Sequence, residues 1–295
     1  MAAQSPCGSQ AQATGCVVAF QALASGAPQL GIAAAGGSAV PGVEGTRGVT
    51  LGIVPKTSAS LRLSAARVRL PDLDDPQAER SLTPIALKLG TATRLFEGGA
   101  TGLGALDLLL EAGILTGTGE GGRTAAVLGA GARLGLLRET FGMPGVALSG
   151  TFRHTGPVRY GEACILAPGC GVGADGEASF GVNDLSARLT VGKRVGPVGV
   201  LGGAGWDRFS TTRGFFAYQG NGGFEPISGT HEVDVHDSRW SAFASLSYGL
   251  TVGSLVAEAG WMGGGSAVDG YTQPSGGYDP GQGTLFGSIA LRVQL

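Results

Sequence analysis

Residues 283–295 read Gly-Thr-Leu-Phe-Gly-Ser-Ile-Ala-Leu-Arg-Val-Gln-Leu, and they constrain the fold more than any other stretch. Taken by twos, Leu285, Gly287, Ile289, Leu291, Val293 and Leu295 fall on one face. Phe286, Ser288, Ala290, Arg292 and Gln294 fall on the other. A period of two is strand periodicity, because successive side chains of an extended chain point to opposite sides. One face here is apolar and the other mostly polar.

The same alternation recurs upstream. Strand-like stretches occupy residues 30–36, 46–54, 59–68, 85–96, 101–115, 124–137, 145–154, 178–192, 198–209, 240–248 and 254–262, so that 283–295 is the twelfth. In 101–115, for example, Leu106, Leu108, Leu110, Ala112 and Ile114 share one phase, and Asp107 and Glu111 take the other. A soluble sandwich would need a second layer to cover an apolar face twelve strands wide, and the chain has no such layer. A solenoid would show a fixed-period repeat, and none is present. Charged residues make up only 14% and Gly 56 of 295, which is unusual for a soluble enzyme. Glycines weaken a soluble sheet but leave room inside a small barrel and at its bends. The net charge of −2 carries no nucleic-acid footprint. No apolar run reaches the ~18–20 residues of a spanning helix. The mean hydropathy of +0.20 is instead spread over alternating pieces.

Three patterns support this parse. Counted from the C-terminus, long connections (residues 263–282, 210–239, 155–177 and 70–84) alternate with short ones, while 37–45 and 116–123 are of moderate length. All 14 prolines fall in connections, in the leader or at strand edges, where no ladder hydrogen bond is lost. Trp206, Trp240 and Trp261 all take the outward phase at the long-loop end of their strands, as one rim of an aromatic girdle does. Tyr248, at the other end of Trp240's strand, suits the opposite rim.

Together these features resemble the outer-membrane β-barrels of Gram-negative bacteria, with Leu295 where that family commonly ends on an aromatic. The resemblance implies an all-β, antiparallel transmembrane β-barrel of about twelve strands, with a short N-terminal helical or irregular periplasmic segment. Residues 1–28 would form that leader or plug, and residues 29–295 the barrel. The protein would sit in the bacterial outer membrane with both termini periplasmic. It would contact a lipid bilayer of lipopolysaccharide and phospholipid, depend on the barrel-assembly machinery and be able to form a homo-oligomer. The first residues lack a basic n-region and apolar core, so a mature chain is expected. Val17, Phe20, Leu23 and Ala24 lie at helical spacing, which predicts a short amphipathic helix after Cys16 that either plugs the barrel or caps its periplasmic mouth.

Within the strands, charged residues mostly take the inward phase, because a lipid-facing charge costs ~2–4 kcal/mol at mid-bilayer. The candidate lumen residues are Arg62, Lys88, Arg94, Arg133, Arg153, Arg188 and Arg292 against Asp107, Glu111, Asp184, Asp207 and Glu258. Arg67 and Arg208 are exceptions at strand ends beyond the girdle. The seven basic groups either line a wet, anion-leaning pore or pair with the acids and fill a nearly closed one. A passive porin for small solutes or ions is the leading expectation. A non-conducting surface protein acting through its loops is the alternative, and a rim hydrolase the third.

Cys7/Cys16 and Cys164/Cys170 are spaced as two short disulfide loops, with free thiols as the alternative and metal binding poorly supported. His236-Asp237-Ser238 has the His-x-Ser spacing of outer-membrane phospholipases, but the following strand offers no Asn to orient the imidazole, so no enzyme is expected. Asp72, Asp74 and Asp75 suit a solvated loop better than a Ca²⁺ site. No cofactor and no metal is expected.

Overall fold

The computed structural model describes Cys7, residues 13–42, 57–73, Asp75, and residues 77–97, 103–117, 124–161, 175–221, 226–273 and 277–294. The described residues form one long helix, α1 (Ala13–Ala35), and thirteen strands. In chain order these are β1 (Thr57–Ala66), β2 (Val68–Pro71), β3 (Glu79–Leu82), β4 (Ile85–Phe96), β5 (Ala105–Thr116), β6 (Ala125–Leu137), β7 (Gly145–Tyr160), β8 (Asp175–Val195), β9 (Val198–Asn221), β10 (Pro226–Val233), β11 (His236–Gly249), β12 (Gly253–Met262) and β13 (Thr284–Gln294).

Ten strands close into one barrel. Each of β1, β4, β5, β6, β7, β8, β9, β11, β12 and β13 pairs antiparallel with the next, and β13 returns to β1. β10 pairs with the far end of β9 outside the ring, and β2–β3 form a separate hairpin in the β1–β4 connection. The expected twelve strands are therefore ten. Residues 30–36 form the end of α1 and Gly36, not a first strand, and the second expected strand, 46–54, lies outside the described residues. The other ten expected stretches correspond to the barrel strands, with β8 and β9 extended well beyond them.

The register defines the barrel's dimensions. One row of cross-strand partners runs from Leu61 through Leu89, Ala112, Leu128, His154, Asn183 and Ser210 to His236 on β11. In the other direction the row runs through Leu291 and Leu255 to Tyr248 on the same strand. His236 and Tyr248 are twelve residues apart, so ten strands with this stagger tilt by about 40° around a radius of roughly 10 Å. Such a barrel has room for a helix only if that helix is built from small residues.

α1 meets this condition. Its sequence, ATGCVVAFQALASGAPQLGIAAA, is rich in Ala and Gly, and Gly36 closes it with φ 69° and an N–H bonded to the Ile32 carbonyl (2.8 Å). The segment Cys16–Ala35 is long and apolar enough to cross a membrane, contrary to the expectation that no such run exists, yet all of it is buried inside the protein. It is also not amphipathic. Its polar residues Gln21, Ser25 and Gln29 form a buried stripe at i, i+4, i+8.

The helix enters from the long-loop end. Phe20 packs on Phe216 near the end of β9, with ring centroids 5.8 Å apart, and Gln21 accepts the N–H of Val268 in the β12–β13 loop. Cys7 is bonded to Cys16 at that same end, whereas β13 finishes at the short-turn end. Of the two expected placements, inside the barrel or across one mouth, α1 occupies the interior and enters from the long-loop mouth, and Cys7 and Gln294 lie at opposite ends of the barrel. Helix α1 also runs past residue 28, where the leader was expected to stop.

Candidate functional site

The occupied lumen concentrates most of the buried charge. It is built in two tiers. In the long-loop mouth, the polar stripe of α1 is satisfied by the wall. Gln29 donates from Nε2 to the Arg69 carbonyl of β2 (2.7 Å) and accepts the Arg69 N–H on Oε1 (2.8 Å), as a neighbouring strand would. Gln21 donates to Ser25 Oγ (2.6 Å). Ser64 Oγ donates to the Ala33 carbonyl (2.9 Å). Tyr271 and Tyr278 of the β12–β13 loop close over the helix edge-to-face, with centroids 6.4 Å apart. Burial pushes the Tyr271 phenol up to about 12 and raises that of Tyr278, so both stay neutral donors.

Below Ala35 the chain continues as an irregular, bent strip through Gly42, held by charged side chains from opposite walls. Lys88 Nζ donates to the last helical carbonyl, Ala35 (2.9 Å), with Arg62 beside it (3.4 Å). Cations at a helix C-terminus satisfy its free carbonyls and the negative end of its dipole. Glu258 accepts the N–H groups of Gly37 and Ser38 (2.9 Å each) and the Ser38 hydroxyl (2.6 Å). Arg188 donates to the Gly37 carbonyl (3.0 Å), and Arg292 to that of Pro41 (3.4 Å).

The remaining wall charges pair with each other. Arg94 and Arg133 share Asp107 at 2.9 Å each. Lys88, Glu111, Arg153 and Asp184 form a chain across β4, β5, β7 and β8, with Lys88–Glu111 at 3.5 Å, Arg153–Asp184 at 2.9 Å and Arg153 in direct contact with Glu111. Arg188 reaches Asp207 at 2.6 Å. The structure places Arg62, Lys88, Arg94, Asp107, Glu111, Arg133, Arg153, Asp184, Arg188, Asp207, Glu258 and Arg292 on the inward face. A charge buried in this way is tolerated when it is paired and hydrogen-bonded.

On the outer face, Trp206 and Trp240 are direct cross-strand partners, and Trp261 lies beside Ala242 one strand further. Tyr248 is exposed at the other end of β11. Cys7–Cys16 is a disulfide, while Cys164 and Cys170 lie outside the described residues. His236 and Ser238 both face outward, and Asp237 is bonded to Arg239 (2.8 Å) rather than to the histidine. Asp72 and Asp75 hold a local turn, with Asp74 outside the described residues.

Sequence reasoning missed the residues of the leader that lock the lumen: Gln21, Gln29, Gly31 and Ser38. The four-residue spacing of Gln21, Ser25 and Gln29 was the available signal, since three polar groups on one stripe of an Ala-rich helix require partners.

No family model matches the chain, and no curated protein matches it. Among solved structures it is similar to the translocator domain of the autotransporter NalP from Neisseria meningitidis, with 13% identity over 83% of this chain and 90% of that one and a TM-score of 0.43. It is also similar to Ail, the attachment invasion locus protein of Yersinia pestis (11% identity, 82% and 98% covered, TM-score 0.32). A third similar structure is the transport unit of the autotransporter AIDA-I from Escherichia coli (9% identity, 93% and 99% covered, TM-score 0.31).

Proposed function

We propose that the chain is an integral outer-membrane barrel closed by its own N-terminal helix, and that it acts through its long-loop face rather than as an open porin. The membrane part of this reading rests on the exterior. All ten barrel strands carry exposed large apolar side chains, among them Leu63, Leu89, Leu110, Leu128, Phe152, Leu189, Val200, Leu246, Leu255 and Ile289. An apolar belt around a whole barrel far exceeds the few hundred Å² that a soluble monomer leaves uncovered.

The observation that supports closure is α1 itself, buried throughout and seated in the mouth, with the strip below it bonded to Glu258, Arg188 and Arg292. The basic side chains expected to favour anions in a pore are committed to acids or to carbonyls of this inner segment. The long-loop face, by contrast, is elaborated: β7, β8 and β9 rise beyond the girdle, β10 extends them, and β2–β3 and the β12–β13 loop pack on α1. This is a platform suited to binding a partner, and no catalytic step is part of the proposal.

Single-channel recording in a planar bilayer tests it. The full chain is expected to be silent, and a variant lacking residues 1–42 to give discrete steps, with the heat-modifiable gel shift reporting that each is folded. Stable steps from the full chain that persist when α1 is cross-linked to β9 would overturn the closed reading.

A further inference from the structure

The lipid-facing surface is not uniform. The register row that ends at His236 places His154, Asn183 and Ser210 side by side on β7, β8 and β9. The row nearer the turns places Phe152, Leu185, Arg208 and Ser238 side by side. A tilt of about 40° lowers a row by roughly 3 Å per strand from β11 towards β7. His154, Asn183 and Arg208 consequently lie within about 5 Å of the level of Trp206 and Trp240, on its long-loop side. That is the headgroup layer of a membrane whose interface the tryptophans mark.

These three side chains make a donor-rich cluster. His154 Nδ1 and Asn183 Oδ1 are 2.8 Å apart, so the amide oxygen accepts the ring N–H and the Asn183 amide N–H groups take no part in that bond. Arg208 is exposed, and its outward neighbours in register and along its strand are Leu185, Ser238, Trp206 and Ser210. Among the described residues, no acid stands at any of these positions. A guanidinium is always charged and carries donors only.

From His154 an apolar trough runs across β7, β6, β5 and β4 on the outer face, descending obliquely towards the membrane centre with the tilt of the register rows. It is lined mainly by Leu89, Leu110, Ala112, Leu128, Ala130 and Phe152, with Thr91, Gly129 and the lumen-side Glu111, which is paired with Arg153 and Lys88, also at its walls and His154 at its upper end. Ala112 and Ala130 are the small residues among leucines that make it a trough. A polar, cationic rim over an apolar channel matches one kind of molecule.

We propose that this face binds an anionic, phosphate-bearing lipid of the surrounding leaflet, with its headgroup on His154, Asn183 and Arg208 and one acyl chain in the trough. The proposal rests on the membrane-spanning reading above. A phosphate accepts from the Asn183 amide and the Arg208 guanidinium, while His154, whose ring N–H is given to Asn183 Oδ1, holds that amide in place, and the net negative charge of the headgroup answers Arg208.

Native mass spectrometry of the full chain in mixed micelles, with dioleoyl phosphatidylglycerol or dioleoyl phosphatidylcholine at equal concentration, tests the site. The wild type is expected to retain the glycerol lipid about fivefold more than the choline lipid, the effect of one basic residue at an anionic surface. Arg208→Ser should bring the two to parity. Ala130→Phe, which fills the trough, should lower retention of both while keeping their ratio. All these positions face outward, so the barrel fold does not depend on them. Equal retention by the wild type, or a preference unchanged in Arg208→Ser, would overturn the site. Liposome flotation separates the two readings: a chain that floats without lipid preference loses only this site, whereas one that does not float also loses the membrane reading.

Discussion

Gly31 of α1 and Phe209 of β9 fit each other as notch and ring: a Cβ built on Gly31 would lie 2.5 Å from Cε1 of Phe209 and 2.6 Å from Cδ1. Phe209 is itself fully buried, so its ring has no free direction in which to yield. Gly26 offers a second notch, against Phe180 of β8 at 2.8 Å. Replacing Gly31 by Ala gains about 1 kcal/mol of helix propensity but forces overpacking that costs about 1–3 kcal/mol. Gly31→Leu should be worse, and a lower urea midpoint for release of α1 would show it. Phe209→Leu in the same chain should restore part of the loss. A double variant no more stable than Gly31→Leu would mean the notch is not what seats the helix.

Gln29 and Arg69 supply a second, polar anchor. Both backbone groups of Arg69 are satisfied by one side-chain amide. Gln29→Leu leaves a part-buried N–H and C=O without their partner, at about 1 kcal/mol each. Gln29→Glu keeps an acceptor for the N–H and loses the donor. Amide hydrogen exchange at Arg69 should therefore be slow in the wild type, nearly as slow in Gln29→Glu and fast in Gln29→Leu. Equal protection in all three would show that the Arg69 amide has another partner.

How much of this was legible before the structure follows from local chemistry. The barrel strands announce themselves because one face meets lipid and the other meets charge, so Leu61 and Arg62, or Leu110 and Glu111, alternate without ambiguity. The lumen charges could be placed by phase alone for the same reason. Residues 30–36 misled because Leu-Gly-Ile-Ala-Ala-Ala-Gly has small apolar residues on both phases, as a helix buried on every side also does. Pro28 lies inside α1, at a place where a proline ordinarily interrupts a helix, so nothing local marks the helix as running on to Ala35. The pairing of Arg188 with Asp207, or of Glu258 with Gly37 and Ser38, depends on register and on where the leader threads. Neither is encoded in any local window.

The three tryptophans give a depth measurement. Single-tryptophan chains retaining Trp206, Trp240 or Trp261 in turn, reconstituted with brominated lipids, should all be quenched most by bromines near the headgroup. Their depths should agree within about 5 Å, the spread expected from the register and tilt. A tryptophan quenched best at the bilayer centre would place the belt, and with it the headgroup level of Arg208, at the wrong height.

Glu258 is the group on which the strip below α1 depends most. One carboxylate accepts two backbone N–H groups and the Ser38 hydroxyl, and Ser288 Oγ stands 3.4 Å from it. Glu258→Gln keeps the shape but turns one acceptor into an amide that faces donors. Losing charge-assisted bonds and leaving a buried N–H unpaired should cost about 2–4 kcal/mol. Ser38→Ala removes only the hydroxyl bonds and should cost about 1 kcal/mol. In planar bilayers Glu258→Gln should show brief current bursts as the strip detaches, while Ser38→Ala stays silent like the wild type. The folded gel shift should survive in both, because the barrel wall itself is untouched. A silent Glu258→Gln chain with an unchanged unfolding midpoint would show that the strip is held by α1 above it and not by this carboxylate.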